Sequence, residues 1–173
     1  VDSCKLAGSK LIYVSTSYIF DGKKENYNEE DLPNPVNFYG ETKLRGEKEV
    51  KKLEDFIILR FDAPYGYNGI NAQNNILSII IKGDKIELDN SKKRQPVLID
   101  DIASAIQILL KKELKGSYHL AGQDKITRYQ LGRELEKIIG KDTRIIPQKR
   151  DVITVAKTSF PIFASFAVKN EVW

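Results

Sequence analysis

Lys10-Leu11-Ile12-Tyr13-Val14-Ser15-Thr16 decides how this chain folds. Leu11 to Val14 is continuously apolar, as in strands buried on both faces of a parallel sheet, and two hydroxyl residues follow at once. The preceding residues, 1 to 8, read as the end of a helix closed by Gly8. Ligands of open α/β sheets bind beyond the carboxyl ends of the strands, so Ser15 and Thr16 stand where function is expected.

Downstream the pattern repeats. Residues 21 to 36 form a polar loop, with a turn at Asp21-Gly22 and no regular structure through Pro33-Asn34-Pro35. A helix follows from about Asn37 to Leu53, capped by Asn34 or Asn37 and supported on its surface by Glu47 and Lys51. Phe56 to Arg60 reads as a strand, residues 61 to 70 as a loop, and Ala72 to Lys82 as a helix stopped by Gly83. Pro96 to Ile99 is a further strand, Asp100 or Asp101 caps a helix through Leu110, and Ser117 to Leu120 is another short strand. Thr127 then caps a helix running to Ile139 and ended by Gly140. Strands alternating with helices predict an α/β fold built on a parallel sheet. Residues 151 to 173 show neither helical nor strand period and read as an irregular tail.

Composition narrows the class. At 173 residues, 41% hydrophobic and 30% charged, the chain suits one soluble globular unit with its own core. The apolar stretch Phe160 to Val168 is far shorter than the ~20 residues of a spanning helix, and the first residues lack a secretory signal, so no membrane is expected. One cysteine and one histidine leave neither a disulfide framework nor a Cys/His metal cluster; no metal is expected, and a reducing, cytoplasmic setting is. The net charge of +4 comes from lysines scattered among Glu and Asp, as on solvated helix faces, so no nucleic acid is expected either. Cys4 reads as a small buried residue at a helix end, and His119 as a hydrogen-bonded core histidine. The absence of Met makes a start inside a longer gene product the expectation.

Four residues apart on one helix, Tyr39 and Lys43 project from the same face. A phenol with an ordinary pKa of ~10 is a poor proton donor at neutral pH, and a nearby ammonium stabilises the phenolate that donation leaves behind. A hydroxyl at the strand end, Thr16 or Ser15, can hold a substrate carbonyl oxygen in line with that phenol. Eight tyrosines in so lysine-rich a chain give about one such spacing by chance, which a surface helix explains equally well. Weight falls on the order of features: strand, hydroxyl pair, polar loop, then Tyr39 and Lys43 in the first turns of a helix.

Ser15-Thr16-Ser17-Tyr18-Ile19-Phe20-Asp21-Gly22, with Pro33-Asn34-Pro35 and Tyr39-Gly40-Glu41-Thr42-Lys43-Leu44-Arg45-Gly46-Glu47, resembles the dTDP-4-dehydrorhamnose reductase family of extended short-chain dehydrogenase/reductases. That family writes S-T-D-Y-V-F-D-G and then P-x-N-x-Y-G-x-[ST]-K-L-x-G-E. Arg60 to Gly66, Arg94 to Ala103 and Gly116 to Gly122 extend the resemblance, which covers residues 1 to about 140. It implies reduction of a 4-keto nucleotide sugar by NADPH or NADH, with Tyr39 as proton donor, Lys43 on the nicotinamide ribose, Thr16 assisting and Ser15 beside the cofactor. Thr16, Ser17 and Arg94 would meet the substrate, Arg94 at its diphosphate. Ser17 stands where the family usually has Asp, and Ala63 where several members carry Trp, so the sugar expected is a related 4-keto sugar as much as the rhamnose precursor.

The family also places a G-x-x-G-x-x-G after its first strand, where backbone amides receive the cofactor pyrophosphate; this sequence contains none. Residues 1 to 70 are accordingly expected to be the C-terminal portion of a Rossmann-type nucleotide-binding domain whose first βαβ units are missing. Residues 71 to 147 would be mainly a small α/β substrate-binding region, and 148 to 173 a tail from a truncated or frameshifted frame. Alone, such a chain is expected to be inactive and, with exposed sheet edges, to be poorly stable or to form homo-oligomers. The scaffold is also similar to the regulatory β-subunit of methionine adenosyltransferase, which implies a non-catalytic alternative, and to nucleotide-sugar epimerases.

Overall fold

The computed structural model describes residues 1–24, 26–66 and 76–148. A short helix, α1 (Asp2–Ala7), ends at Gly8, whose left-handed φ of 58° lets its N–H reach back to the last turn. Strand β1 (Leu11–Thr16) follows and runs into a single 3-10 turn at Ser17–Ile19. Helix α2 (Phe38–Val50) starts at Asn37, whose side chain accepts from Gly40 N–H at 2.8 Å, and leads to β2 (Phe56–Phe61) and the short β3 (Pro64–Tyr65). Then come α3 (Ile76–Lys82), β4 (Ile86–Asp89), β5 (Lys93–Arg94), β6 (Val97–Leu98) and α4 (Ile99–Lys111). Strand β7 (Gly116–Leu120), β8 (Ile126–Thr127), α5 (Arg128–Ile139) and β9 (Ile145–Gln148) complete the described chain.

The main sheet is parallel, in the order β1-β2-β7, and its register places Ser15 beside Arg60 and Arg60 beside His119. Strand β2 is central and covered on both faces. Ile57 and Leu59 pack with Ile102 and Leu109 of α4, while Arg60 turns to the opposite face and meets α2. Burying each such aliphatic side chain is worth roughly 1.5–3 kcal/mol, enough for β2 to hold its neighbours in place. A second core joins Ile76 and Ile80 of α3 to Leu88, Leu135 and Ile145, beneath a parallel pair formed by β4 and β9.

Several expectations need correction. Among the described residues β1 has a strand neighbour on one side only, so its burial is incomplete: Val14 is 43% exposed, and only Ser15 and Thr16 within the strand are buried. Glu47 does not pair with Lys51 on the helix surface; it is wholly buried and bonded to Arg60. Asp100 and Asp101 lie inside the first turn of α4 rather than capping it, where carboxylates still favour the positive end of the helix dipole. Cys4 is only half-buried, because α1 buries no residue fully. The proposed helix start at Ala72 and the tail beyond Gln148 lie outside the described residues. No helix among those described is long and apolar enough to cross a membrane.

Candidate active site

The carboxyl ends of β1 and β2 open into a cavity of 920 Å³. Ser15, Thr16, Asn37 and Tyr39 give it a polar wall, and Phe61, Ala63, Tyr65, Ile76 and Leu131 an apolar one. Asp62, Arg94 and Arg128 make a charged end. Carbohydrate rings and aromatic bases both present one polar rim and one apolar face, and a cavity divided in this way suits either.

Thr16 reaches the cavity as the last residue of β1. Its Oγ1 accepts from Tyr18 N–H at 3.3 Å, which starts the 3-10 turn and leaves the hydroxyl proton free to point elsewhere. Tyr39, in the first turn of α2, is 52% exposed and meets Tyr18 edge-on, ring centres 5.5 Å apart and planes at 86°. Lys43 comes one turn later. Its Nζ donates to the Val14 carbonyl at 2.8 Å and lies 4.9 Å from the centre of the Tyr13 ring. The ammonium is thus held at the strand end, and Lys43 is not among the residues lining the cavity. Tyr13 fits beneath α2 because Gly46 has no side chain: a Cβ there would stand 2.2 Å from the Tyr13 hydroxyl oxygen.

The structure brings Ser15, Thr16, Tyr39 and Arg94 to one cavity. Ser17 is not placed there. It is wholly buried in the 3-10 turn, and its Oγ finds no hydrogen-bond partner among the described residues. Arg94 is no solvated loop residue: Nη1 donates to both Asp62 carboxylate oxygens at 2.9 and 2.6 Å, and the guanidinium carbon lies 5.9 Å from the centre of the Tyr18 ring. Burial opposes the Arg94 charge, and Asp62, with Tyr18, more than restores it, so the guanidinium pKa is raised. Ala63, between β2 and β3, adopts φ of 46°, a left-handed conformation unusual for a residue with a side chain.

Beneath the polar wall lies a group that sequence reasoning missed. Arg60, 1% exposed, donates from Nε and Nη2 to the two Glu47 oxygens at 3.0 and 2.7 Å. Its Nη1 lies 3.0 Å from His119 Nε2; a guanidinium only donates, so this nitrogen accepts and the imidazole carries its proton on Nδ1. Glu47 Oε1 also takes a hydrogen bond from Ser15 Oγ at 2.5 Å. His119 is therefore the hydrogen-bonded core histidine expected, and Glu29 anchors its backbone N–H at 2.8 Å. One signal in the sequence pointed to this group: a charge set inside the apolar strand Ile57-Ile58-Leu59-Arg60-Phe61 demands a buried counter-charge.

Comparison with known proteins gives a consistent set of relatives. The family model described as the RmlD substrate binding domain matches residues 1–166. Methionine adenosyltransferase 2 subunit beta of Bos taurus is 34% identical over 139 residues, covering 72% of this chain and 40% of that protein. The probable low-salt glycan biosynthesis reductase Agl14 of Haloferax volcanii is 31% identical over 143 residues, 79% of this chain and 48% of that protein. Among solved structures, dTDP-4-dehydrorhamnose reductase from Bacillus anthracis, in complex with NADP, superposes with a TM-score of 0.79 at 27% identity, covering 94% of this chain and 59% of that one. The chain thus spans under half the length of these two curated relatives.

Proposed function

The chain belongs to the family of the RmlD substrate binding domain, and on that premise we propose that a longer polypeptide containing it reduces the 4-keto group of a nucleotide sugar with NADPH or NADH. The observation that carries this reading is the convergence of Thr16 and Tyr39 on one cavity at the carboxyl end of β1, with Lys43 held one helical turn behind. Residues 1–70 would supply the cofactor-facing side and 71–147 mainly the sugar-facing side.

The residues present fit the nicotinamide end of such a cofactor: two hydroxyls, Ser15 and Tyr39, in the cavity wall and the Lys43 ammonium at the same strand end. When bound, the cofactor supplies the hydride. Thr16 Oγ1, already accepting from Tyr18 N–H, has its own proton to donate to the carbonyl oxygen and so orients the ketone. Tyr39 Oη delivers the proton that turns that oxygen into a hydroxyl, and the Lys43 charge stabilises the phenolate left behind. At the charged end, Arg94 and Arg128 suit a diphosphate, with Asp62 holding the Arg94 guanidinium in position. Ser17, beneath the turn, reaches a substrate only if the Ser17–Ile19 turn moves.

The test is reduction of a 4-keto nucleotide sugar by the longer polypeptide, followed by nicotinamide absorbance, with Tyr39→Phe beside the unaltered sequence. Loss of about 10²-fold or more in kcat on Tyr39→Phe is expected for removal of a general acid. Unimpaired turnover by that variant would remove Tyr39 as the proton donor. No turnover of any 4-keto nucleotide sugar by the unaltered longer polypeptide would remove the reading.

A second reading is favoured by one observation, the 34% identity to methionine adenosyltransferase 2 subunit beta. On it the polypeptide serves as a partner subunit rather than a reductase. Stoichiometric co-purification with an enzyme whose kinetics it alters would favour this reading, and keto-sugar turnover by the partner-free protein would exclude it.

A further inference from the structure

We infer that Glu47 is a positioning residue of the candidate site, fixing the Ser15 hydroxyl so that Ser15 meets a ligand only as a hydrogen-bond acceptor. The inference rests on the proposed reading in one respect, that a ligand occupies the cavity Ser15 lines.

Ser15 has one proton and two lone pairs. A carboxylate only accepts, so the 2.5 Å contact between Ser15 Oγ and Glu47 Oε1 takes that proton. Glu47 itself cannot turn away. Arg60 grips both of its oxygens from the buried side, at 3.0 and 2.7 Å, and all three side chains are 3% exposed or less. Arg60 is fixed in turn by His119 at 3.0 Å. The Ser15 lone pairs are what remains toward the cavity, and the matching ligand group is an O–H or N–H donor such as a ribose or sugar hydroxyl or a carboxamide. Thr16, next along the strand, has the opposite polarity: its oxygen accepts from Tyr18 N–H and its proton is free. The two consecutive hydroxyls therefore differ in polarity, one an acceptor and the other a donor, and only the acceptor is set by a buried charge.

The orientation is testable without turnover. The Ser15 hydroxyl proton, shielded in a charge-assisted bond, is expected as a downfield, slowly exchanging proton resonance that Ser15→Ala abolishes and Tyr39→Phe retains. A Ser15 hydroxyl that exchanges with bulk water as fast as a surface serine would overturn the inference. In the reductase assay, Ser15→Ala is expected to lower kcat/KM about tenfold and Ser15→Thr to restore it. Combining Ser15→Ala with Glu47→Gln should then cost no more kcat/KM than Ser15→Ala alone, although Glu47→Gln lowers thermal stability. Multiplying losses would mean that Glu47 acts on the fold and not through Ser15. An inactive longer polypeptide would defeat the proposed reaction, while the proton resonance would still decide the direction of the Ser15 bond.

Discussion

Gly40 and Tyr18 meet backbone to backbone: a Cβ placed on Gly40 would stand 2.0 Å from the Tyr18 carbonyl oxygen. This approach lets the first turn of α2 lie against the 3-10 turn and brings Tyr39 edge-on to Tyr18. Gly40→Ala must push the two apart. We expect a loss of about 1–3 kcal/mol from overpacking, read as a lower urea midpoint, together with a fall in kcat. Unchanged stability would mean that the turn yields without cost.

Removing one member of the buried ion pair is expected to be far worse than removing both. Arg60→Ala or Glu47→Ala leaves a lone charge in the core and should cost about 3–5 kcal/mol in denaturant unfolding. A double replacement by apolar residues of similar volume should recover much of that loss. Equal loss in the single and double variants would contradict the prediction.

Acid should weaken the fold in two separate windows. Burial, helped by Arg60 and opposed by Glu29, lowers the His119 pKa from 6.5 to about 4. Above pH 6.5 the ring is neutral in both folded and unfolded chains and costs nothing. As pH falls toward 4 the unfolded chain takes the proton first, and stability drops by up to about 1.4 kcal/mol per pH unit. Asp21 acts lower: hydrogen bonds from Tyr27 and Lys23 N–H hold its carboxyl at about 2 against 3.8, so its contribution is present above 3.8 and fades as pH falls toward 2. Urea unfolding across the first window should show the slope in the unaltered protein, and Asp21→Asn should leave it in place.

Thr127 closes a reciprocal cap on α5: its Oγ1 accepts from Gln130 N–H at 3.0 Å, and Gln130 Oε1 accepts from Thr127 N–H at 2.9 Å. Thr127→Ala should cost about 1 kcal/mol and Thr127→Ser should restore most of it, measured by thermal unfolding.

Much of the main sheet and its helices was legible because local signals agreed. Apolar runs marked β1 and β2, while Asn37, Thr127, Gly8, Gly83 and Gly140 marked helix ends where the structure has them. What escaped was set by partners distant in the chain. Glu47 carries a surface-helix pattern, and only contact with Arg60 on the next strand explains its burial. Strands β4 and β9 are four residues each, and they pair across the intervening α4 and α5, so neither announces the other. The pair formed by β5 and β8 is shorter still, yet it carries Arg94 to the cavity. Of the site, the hydroxyls, Tyr39 and Lys43 were readable from type and order. The Asp62 clamp on Arg94 and the bond from Lys43 to Val14 required the three-dimensional arrangement.

Ser15, Arg60 and His119 occupy one cross-strand row, one residue from each strand of the main sheet. A parallel pairing that slipped by a single residue would set Val14 or Thr16 opposite Arg60 and turn the partners to the wrong face. Apolar neighbours tolerate such a slip, because one aliphatic contact resembles another. A buried guanidinium does not, since it would lose its acceptors while still shut away from water. The row therefore specifies register: it makes the correct alignment of three strands the one in which a desolvated charge is answered, and it ties that alignment to the strand end where Thr16 stands.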